Sequence, residues 1–325
     1  MSNTTTQRIG SALRRTAVAG TLAAAAAGFL GASATANAAT VDQSATSSSG
    51  YTFSTLNDHT DPTFNQLLGI NDHRVIAGYF GSGTPAGTHP NKGYTLGGNH
   101  DQDNYRNENF PGSQQTQVVG INNNGTTVGF WADASGANFG FVKDHGSYTS
   151  VSNPASNATP RVDQLLGVNN HQVAVGFYTD ANGDSHGYIY NVGTHRFTPV
   201  LVPGASSVVA AGINDAGHIA GFAVINGNTE AFLLEGNHMQ LTELAGSTNT
   251  QAFGINNADE IVGSYVDAAG NTHGFLRREH RTPTTIDAPH AAGTTVINGL
   301  NNHGQLVGFY TDAAGNTDGL LATVK

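Results

Sequence analysis

The chain has 325 residues, a formal charge of −10, 42 glycines, no cysteine and only 11% charged residues. The missing cysteines exclude a disulfide scaffold, a thiolate metal site, a cysteine nucleophile and a lipoprotein anchor. Hydrophobic residues, 38% of the chain, recur in short regular runs, which excludes a disordered polypeptide.

Residues 1–38 read as a secretory signal peptide. Arg8, Arg14 and Arg15 make a basic start, an alanine-rich apolar stretch runs from Thr16 to Leu30, and Ala36-Asn37-Ala38 offers a small-x-small cleavage site. The adjacent arginines suggest twin-arginine export, but Thr16, Ala17 and Val18 fit that pattern poorly, so general secretion is expected. Cleavage after Ala38 leaves 10 basic against 23 acidic residues, a formal charge of −13. A chain this acidic is expected to bind neither nucleic acid nor an anionic membrane, since both recruit cationic surface. No later stretch approaches the ~20 apolar residues that span a bilayer, so a released, extracellular protein is expected. Residues 39–50 (ATVDQSATSSSG) form a polar leader with little to bury, expected to be disordered.

Past the leader the chain repeats itself. A Gly-(Ile/Val/Leu)-Asn triplet begins at Gly69, Gly120, Gly167, Gly212, Gly254 and Gly299, at spacings of 51, 47, 45, 42 and 45 residues. Each triplet opens a similar sentence, for example GVNNHQVAVGFYTDANGDSHGYI from Gly167 and GINNADEIVGSYVDAAGNTHGFL from Gly254. The apolar runs are short, rich in Val, Ile, Phe and Tyr, and separated by Asn-Gly turn signals, which predicts strands rather than helices. Each unit parses into four strands: A ending at the triplet (117–121), B after the Asn-Asn turn (305–310), C after an Asp-Ala-x-Gly-Asn turn (274–277) and D ending near Pro or Gly (197–202). Four short antiparallel strands at a period near 45 predict a propeller blade. The sixth unit stops after its third strand (319–324), while Tyr51 to Leu56 (YTFSTL) resembles a D strand ahead of the first unit. The expectation is therefore an all-β, six-bladed β-propeller over residues 51–325, its ring closed by the N-terminal strand. Closure leaves no open sheet edge, and a monomer is expected.

The sentence G-I-N-x-x-G-x-I-V-G-x-Y-x-D-x-x-G-x-x-H-G-F resembles the bacterial extracellular repeats of the HAF family, named for a His-Ala-Phe core. That core stands here as His186-Gly187-Tyr188, His273-Gly274-Phe275 and Glu230-Ala231-Phe232, with Lys92, Phe139 and Asp318 in the histidine position of the other copies. The resemblance covers residues 51–325 and implies an exported repeat protein; it implies no activity.

Candidate chemistry is sparse. The first unit carries two long segments, GSGTPAGTHPNKGY from Gly81 and GGNHDQDNYRNENFPGSQQ from Gly97, read as loops. Their His89, Lys92, His100, Asp101, Asp103, Tyr105 and Arg106, with the lone tryptophan, Trp131, in the next unit, form the candidate binding patch, because polar and aromatic loops on a rigid scaffold suit recognition. In the third unit Asp180, Asn182 and Asp184 place oxygens at alternate positions, as calcium loops do. Other copies carry Ala at the middle position and none supplies a distal bidentate Glu, so turn formation explains these aspartates better. The 14 histidines show no HExxH or HxH spacing, so no metal site is expected, and no cofactor is. His73, His171 and His303 are read as solvated turn residues. Asn71, Asn122, Asn169, Asn214, Asn256 and Asn301, present in all six copies, are read as scaffold caps, and Gln66, Gln117, Gln164 and Gln251 as channel-lining or backbone-satisfying groups. No nucleophile elbow, phosphate loop or paired carboxylates occur. The expected function is a secreted, non-enzymatic binding module that recognises an extracellular protein, or a glycan, through one loop face. The alternative is an extracellular polysaccharide hydrolase or lyase with its site at a mouth of the central channel.

Overall fold

The structure, a computed structural model, describes residues 50–82, 89–242, 244, 246–247, 249–279 and 281–325. The expected signal peptide and all of the expected leader but Gly50 lie outside the described residues. The apolar runs pair as six separate four-stranded antiparallel sheets. Five of them are continuous in sequence, spanning 65–107, 115–151, 163–199, 205–242 and 249–286. The sixth combines Thr295–Leu300, Leu306–Thr311 and Thr317–Val324 with Tyr51–Thr55 from the other end of the chain. Tyr51 pairs with Val324 and Thr55 with Leu320, so the ring closes as a six-bladed β-propeller with the N-terminal strand outermost in blade 6.

The repeated sentence is a packing instruction. In every blade the register of strands A and B slips just before the triplet glycine, as between Leu165 and Gly167. The bulge turns the triplet toward the ring axis, where Gly69, Gly120, Gly167, Gly212, Gly254 and Gly299 form a collar. A Cβ on Gly69 would lie 2.7 Å from Val119 O and 3.3 Å from the Cα of Gly120, and the chain of contacts returns from Gly299 to Gly69. In blades 1 to 5 the strand-B glycine pairs with an aromatic residue of strand C, as Gly129 faces Phe141 and Gly263 faces Phe275, whereas Gly308 pairs with Leu320. Those rings, with Tyr94, Tyr188, Phe232 and Phe177 of strand B, are the largest fully buried side chains among the described residues.

The asparagines of the triplets close two hydrogen-bonded belts. Nδ2 of Asn71 donates to Asn122 O at 3.0 Å, Asn122 to Asn169 O, and so on to Asn301, which donates to Asn71 O at 3.1 Å. One residue later, each backbone N–H donates to the side-chain oxygen of the same position in the following blade, through Asp72, Asn123, Asn170, Asp215, Asn257 and Asn302. The scaffold reading of these asparagines holds. The triplet asparagines are buried, where a neutral group that both donates and accepts is wanted.

Strand D of the third unit is shorter than expected, Arg196–Pro199 rather than 197–202. Val200 leaves the sheet, donating its N–H to Gly187 O, and Val200 and Val202 bury themselves among Val175, Val208 and Ala210.

Candidate functional site

Antiparallel strands alternate direction, so A–B and C–D connections share one face of the ring and B–C and D–A connections share the other. That rule divides the expected first-unit patch. Lys92 begins strand C (Lys92–Leu96), and Tyr105 and Arg106 lie in a three-residue strand D (Tyr105–Asn107), not in loops. Tyr105 is held edge-on to Tyr94 with centroids 4.6 Å apart. His89 belongs to the B–C connection, where its Nδ1 lies 2.8 Å from the buried Asp61 carboxylate. His100, Asp101 and Asp103 belong to the C–D connection, with His100 Nε2 2.9 Å from Arg74 O. Trp131 stacks on Phe110 at 4.5 Å and on Phe139 at 4.9 Å, and its Nε1 donates to Ser150 Oγ. The eight residues therefore do not form one surface, and the indole is committed to intramolecular packing.

The aspartates of the B–C turns act as turn formers. Asp180 Oδ1 accepts from the N–H groups of Asn182 and Asp184 at 2.8 and 3.0 Å, as Asp267 does from Ala269 and Asn271 and Asp312 from Ala314 and Asn316. The geometry is the same whether the middle residue is Asn or Ala, so the carboxylate serves the backbone and Asn182 adds nothing to it. His186 completes this local unit. It stacks on Tyr178 with centroids 5.0 Å apart and its Nε2 lies 3.0 Å from Asp180 Oδ2, and the pair Tyr265–His273 repeats the arrangement beside Asp267.

The channel mouth on the A–B face is lined, among the described residues, by the belt residues and the aliphatic residue of each triplet. Its two acids, Asp72 and Asp215, stand in blades 1 and 4, and each accepts three hydrogen bonds from belt N–H groups. Burial works against ionisation of Asp72, but the bonds from Asn123 and Asn302 outweigh it and lower its pKa. Asp215 is lowered in the same way, burial being outweighed by Asn170 and Asn257. Both are acceptors fixed in a scaffold, poorly suited to giving up or taking a proton.

The site that the structure builds lies elsewhere, at the D–A end of blade 3. A cavity of about 370 Å³ opens between the D–A connections on either side of that blade. Asn153 and Ala155 bound one side, Val200, Leu201, Val202, Ala205 and Ser206 the other, and Tyr178, His186, Tyr188 and Phe197 stand between them. Leu201 is 74% exposed, while Val200 and Val202 on either side of it are buried. Ser185 lines the cavity with a buried hydroxyl that has no hydrogen-bond partner. None of these positions carries a repeated motif except Tyr178, His186 and Tyr188. The run Val200-Leu201-Val202 is visible in the sequence, but its apolar character assigns it to strand D, which in the structure ends at Pro199.

Asp163 lies behind the cavity on strand A (Asp163–Val168) with no exposed surface. Its Oδ1 accepts from the Tyr188 hydroxyl at 2.7 Å and its Oδ2 from the Asn153 N–H, so it pins a wall residue from each side. Burial dominates and pushes its pKa up to about 6, against the pull of those two hydrogen bonds and of Arg161. Because the folded pKa exceeds the unfolded one, the proton is held more tightly in the folded state. The contribution of this group is full below about pH 3.8, falls as pH rises, and levels off above about 6. The penalty at neutral pH is on the order of 3 kcal/mol. Asn65 occupies the same position in blade 1 and accepts the N–H of Asp58 at 2.8 Å. Asp163→Asn is therefore expected to be more stable than the parent at pH 7, by as much as ~3 kcal/mol, and equal to it near pH 4. Urea unfolding across that range measures this, and a pH-independent difference would remove Asp163 as the titrating group.

No family model matches the chain, and no curated protein matches it. Solved structures do. TolB from Acinetobacter baumannii superposes with a TM-score of 0.53 at 8% identity, over 81% of this chain and 64% of that one. The chain is a propeller. The fungal lectin of Aleuria aurantia, a six-bladed β-propeller with a fucose recognition mode, matches with a TM-score of 0.49 at 11% identity, over 79% of this chain and 92% of that one. AofleA from Arthrobotrys oligospora gives 0.47 at 11%, over 85% and 83%. This chain thus spans about two thirds of the TolB length (64%), and identities this low speak for the fold alone.

Proposed function

We propose that the chain is an exported binding protein whose D–A face receives an aliphatic or aromatic side chain of an extracellular protein partner in the blade 3 cavity. The observation that carries this reading is Leu201, 74% exposed at the rim of an apolar cavity within the usual range of roughly 300–1,000 Å³ for ligand sites. A large aliphatic side chain held in water beside an apolar cavity gains by being covered. More of the wall is hydrocarbon and ring carbon than polar surface, its polar groups being Asn153, Ser185, Ser206, the His186 imidazole and the tyrosine hydroxyls, a balance that suits an apolar side chain better than a polyhydroxylated sugar. Export rests on the signal-peptide pattern of residues 1–38, and a repeat protein of the HAF type fits the same setting.

The test is affinity capture with residues 39–325 from the producer's culture medium and cell-wall fractions, run beside Leu201→Arg. A specific protein recovered by the parent and reduced at least about tenfold, or ~1.4 kcal/mol, by the variant supports the proposal. Recovery indifferent to Leu201 removes the cavity from it. Glycan binding lost in Tyr178→Ala but kept in Leu201→Arg would transfer the site to a carbohydrate stacked on the Tyr178–His186 pair. Turnover of a polysaccharide would replace the binding module with an enzyme.

A further inference from the structure

On the opposite face, three segments meet at the seam of blades 4 and 5. The A–B turn of blade 4 brings His218, the end of its strand C (Asn228–Glu235) brings Glu235, and the A–B turn of blade 5 brings Asp259. His218 Nδ1 lies 2.9 Å from Asp259 Oδ1 and 4.0 Å from Glu235 Oε1. One donor atom from each of the three residues falls within 4.8 Å of the others, the one such group among the described residues. His238, at the start of the next strand (His238–Thr242), has Nδ1 3.4 Å from Glu235 Oε2 and a side chain exposed enough to reorient.

The same three positions in other seams show what ordinary packing does there. Between blades 2 and 3 they are Thr126, Asp144 and Gln172. The Thr126 hydroxyl donates to Asp144 and the Gln172 amide donates to Thr126, both at 2.8 Å, so the one carboxylate has its donor, although Gln172 Oε1 is left without one. Between blades 5 and 6, Glu260 is closed off by the Arg278 guanidinium at 2.8 Å. The seam of blades 4 and 5 is not balanced in this way. Two carboxylates confront one imidazole nitrogen, and a proton on that nitrogen serves one of them. Asp259 Oδ1 takes it together with a bond from Asn214 Nδ2, and Glu235 Oε2 is taken by Gln240, while Glu235 Oε1 accepts no hydrogen bond and has only the 4.0 Å approach of His218. A cation between the three satisfies all of them at once.

We propose that this seam binds one divalent transition-metal ion of the zinc class through His218 Nδ1, Asp259 and Glu235, with His238 turning in as the fourth donor. Imidazole nitrogen mixed with carboxylate oxygen is a zinc-type set, whereas calcium and magnesium take oxygen alone. The ion joins a turn of blade 4 to a turn of blade 5, so its binding stabilises the folded ring.

The test uses the full mature chain, stripped with a chelator and dialysed, then titrated with zinc chloride or calcium chloride by calorimetry and thermal unfolding. The expected result is one zinc per chain, a rise in Tm that saturates with zinc, and no response to calcium. Even outer-shell losses cost about 10–100-fold in affinity, so His218→Ala is expected to weaken zinc at least about 100-fold. Glu235→Gln, an isosteric change that leaves the turn intact, is expected to weaken it at least about tenfold. His303→Ala, on an exposed turn of blade 6, is expected to leave it unchanged. Absence of zinc binding at 1:1, or zinc binding that Glu235→Gln and His218→Ala do not weaken, overturns the proposal; the second result would mean adventitious binding to surface histidines.

Discussion

A chain beginning at Asn57 is expected to lose cooperative unfolding altogether. Trimming a terminus usually costs little, because terminal residues make few contacts. Here the removed strand carries five residue pairs with Leu320–Val324, and Leu56 donates its N–H to Gly319 O beyond them. Tyr51 and Leu56 are buried, Tyr51 in one interblade cluster with Leu306 and Leu320, Leu56 in the next with Leu67 and Val307. Burying two such side chains contributes about 1.5–3 kcal/mol each, before the lost ladder bonds and the newly exposed edge of blade 6 are counted. The total is on the order of 5 kcal/mol or more, comparable with the ~5–15 kcal/mol that holds a whole domain. Circular dichroism and a thermal melt check it: a Tm unchanged from the parent would mean that the ring does not depend on its N-terminal strand.

Gly176→Ala is expected to cost more than about 4 kcal/mol, at the far end of single substitutions. The added methyl would sit 1.9 Å from Gln164 O, 2.9 Å from Gln164 C and 3.0 Å from Leu165 Cα, all backbone atoms of the neighbouring strand. No rotamer change relieves that overlap; strand A would have to move, and its bulge and collar glycine with it. Gly187→Ala is the matched control, in the same blade. Its methyl would meet a side-chain carbon, Val208 Cγ1, at 3.0 Å, and Ala231 stands in the corresponding position of blade 4, paired with Phe222 as Gly187 is with Phe177. A loss of no more than about 1–2 kcal/mol is expected. Chemical denaturation of the two variants measures the contrast, and equal losses would show that backbone approach is not what selects glycine in strand B.

What was legible in the sequence was whatever six copies repeat. The glycine triplet, the Asn-Asn turn, the Tyr-x-Asp turn with its following histidine and the aromatic of strand C each answer a local demand. The bulge toward the axis and the belt bond to the next unit recur in all six blades, the ring over a glycine in five, with Leu320 in its place in blade 6, and the capped hairpin in several. Even closure could be read, because a missing strand at one end and a spare strand at the other are complementary in sequence.

The candidate site was not legible, for reasons that can be located. His89 and His100 lie 11 residues apart in the chain, yet strand C (Lys92–Leu96) lies between them and sends their loops from opposite ends of the blade. Tyr105-Arg106-Asn107 shows no alternation of apolar and polar residues, so a strand there was hidden by its composition. The cavity is walled by connections from two different units, and the feature that marks it, the exposure of Leu201 between two buried valines, belongs to no pattern along the chain. His218, Glu235 and Asp259 likewise sit in three separate segments, without the short spacing that pre-organises a metal motif on one element.

By itself, the sequence determined the all-β class, the number of blades, the residues of the collar and belts, and the strand that closes the ring, because these are short-range demands met identically in each copy. The tertiary structure alone decided which residues share a surface. Face is set by the alternating direction of strands, and seams are set by the docking of one unit against the next, so contacts there join residues with no regular separation in the chain. That is why the scaffold could be read from repetition, whereas the cavity of blade 3 and the ligand-bearing seam of blades 4 and 5 emerge only where the repetition breaks in space.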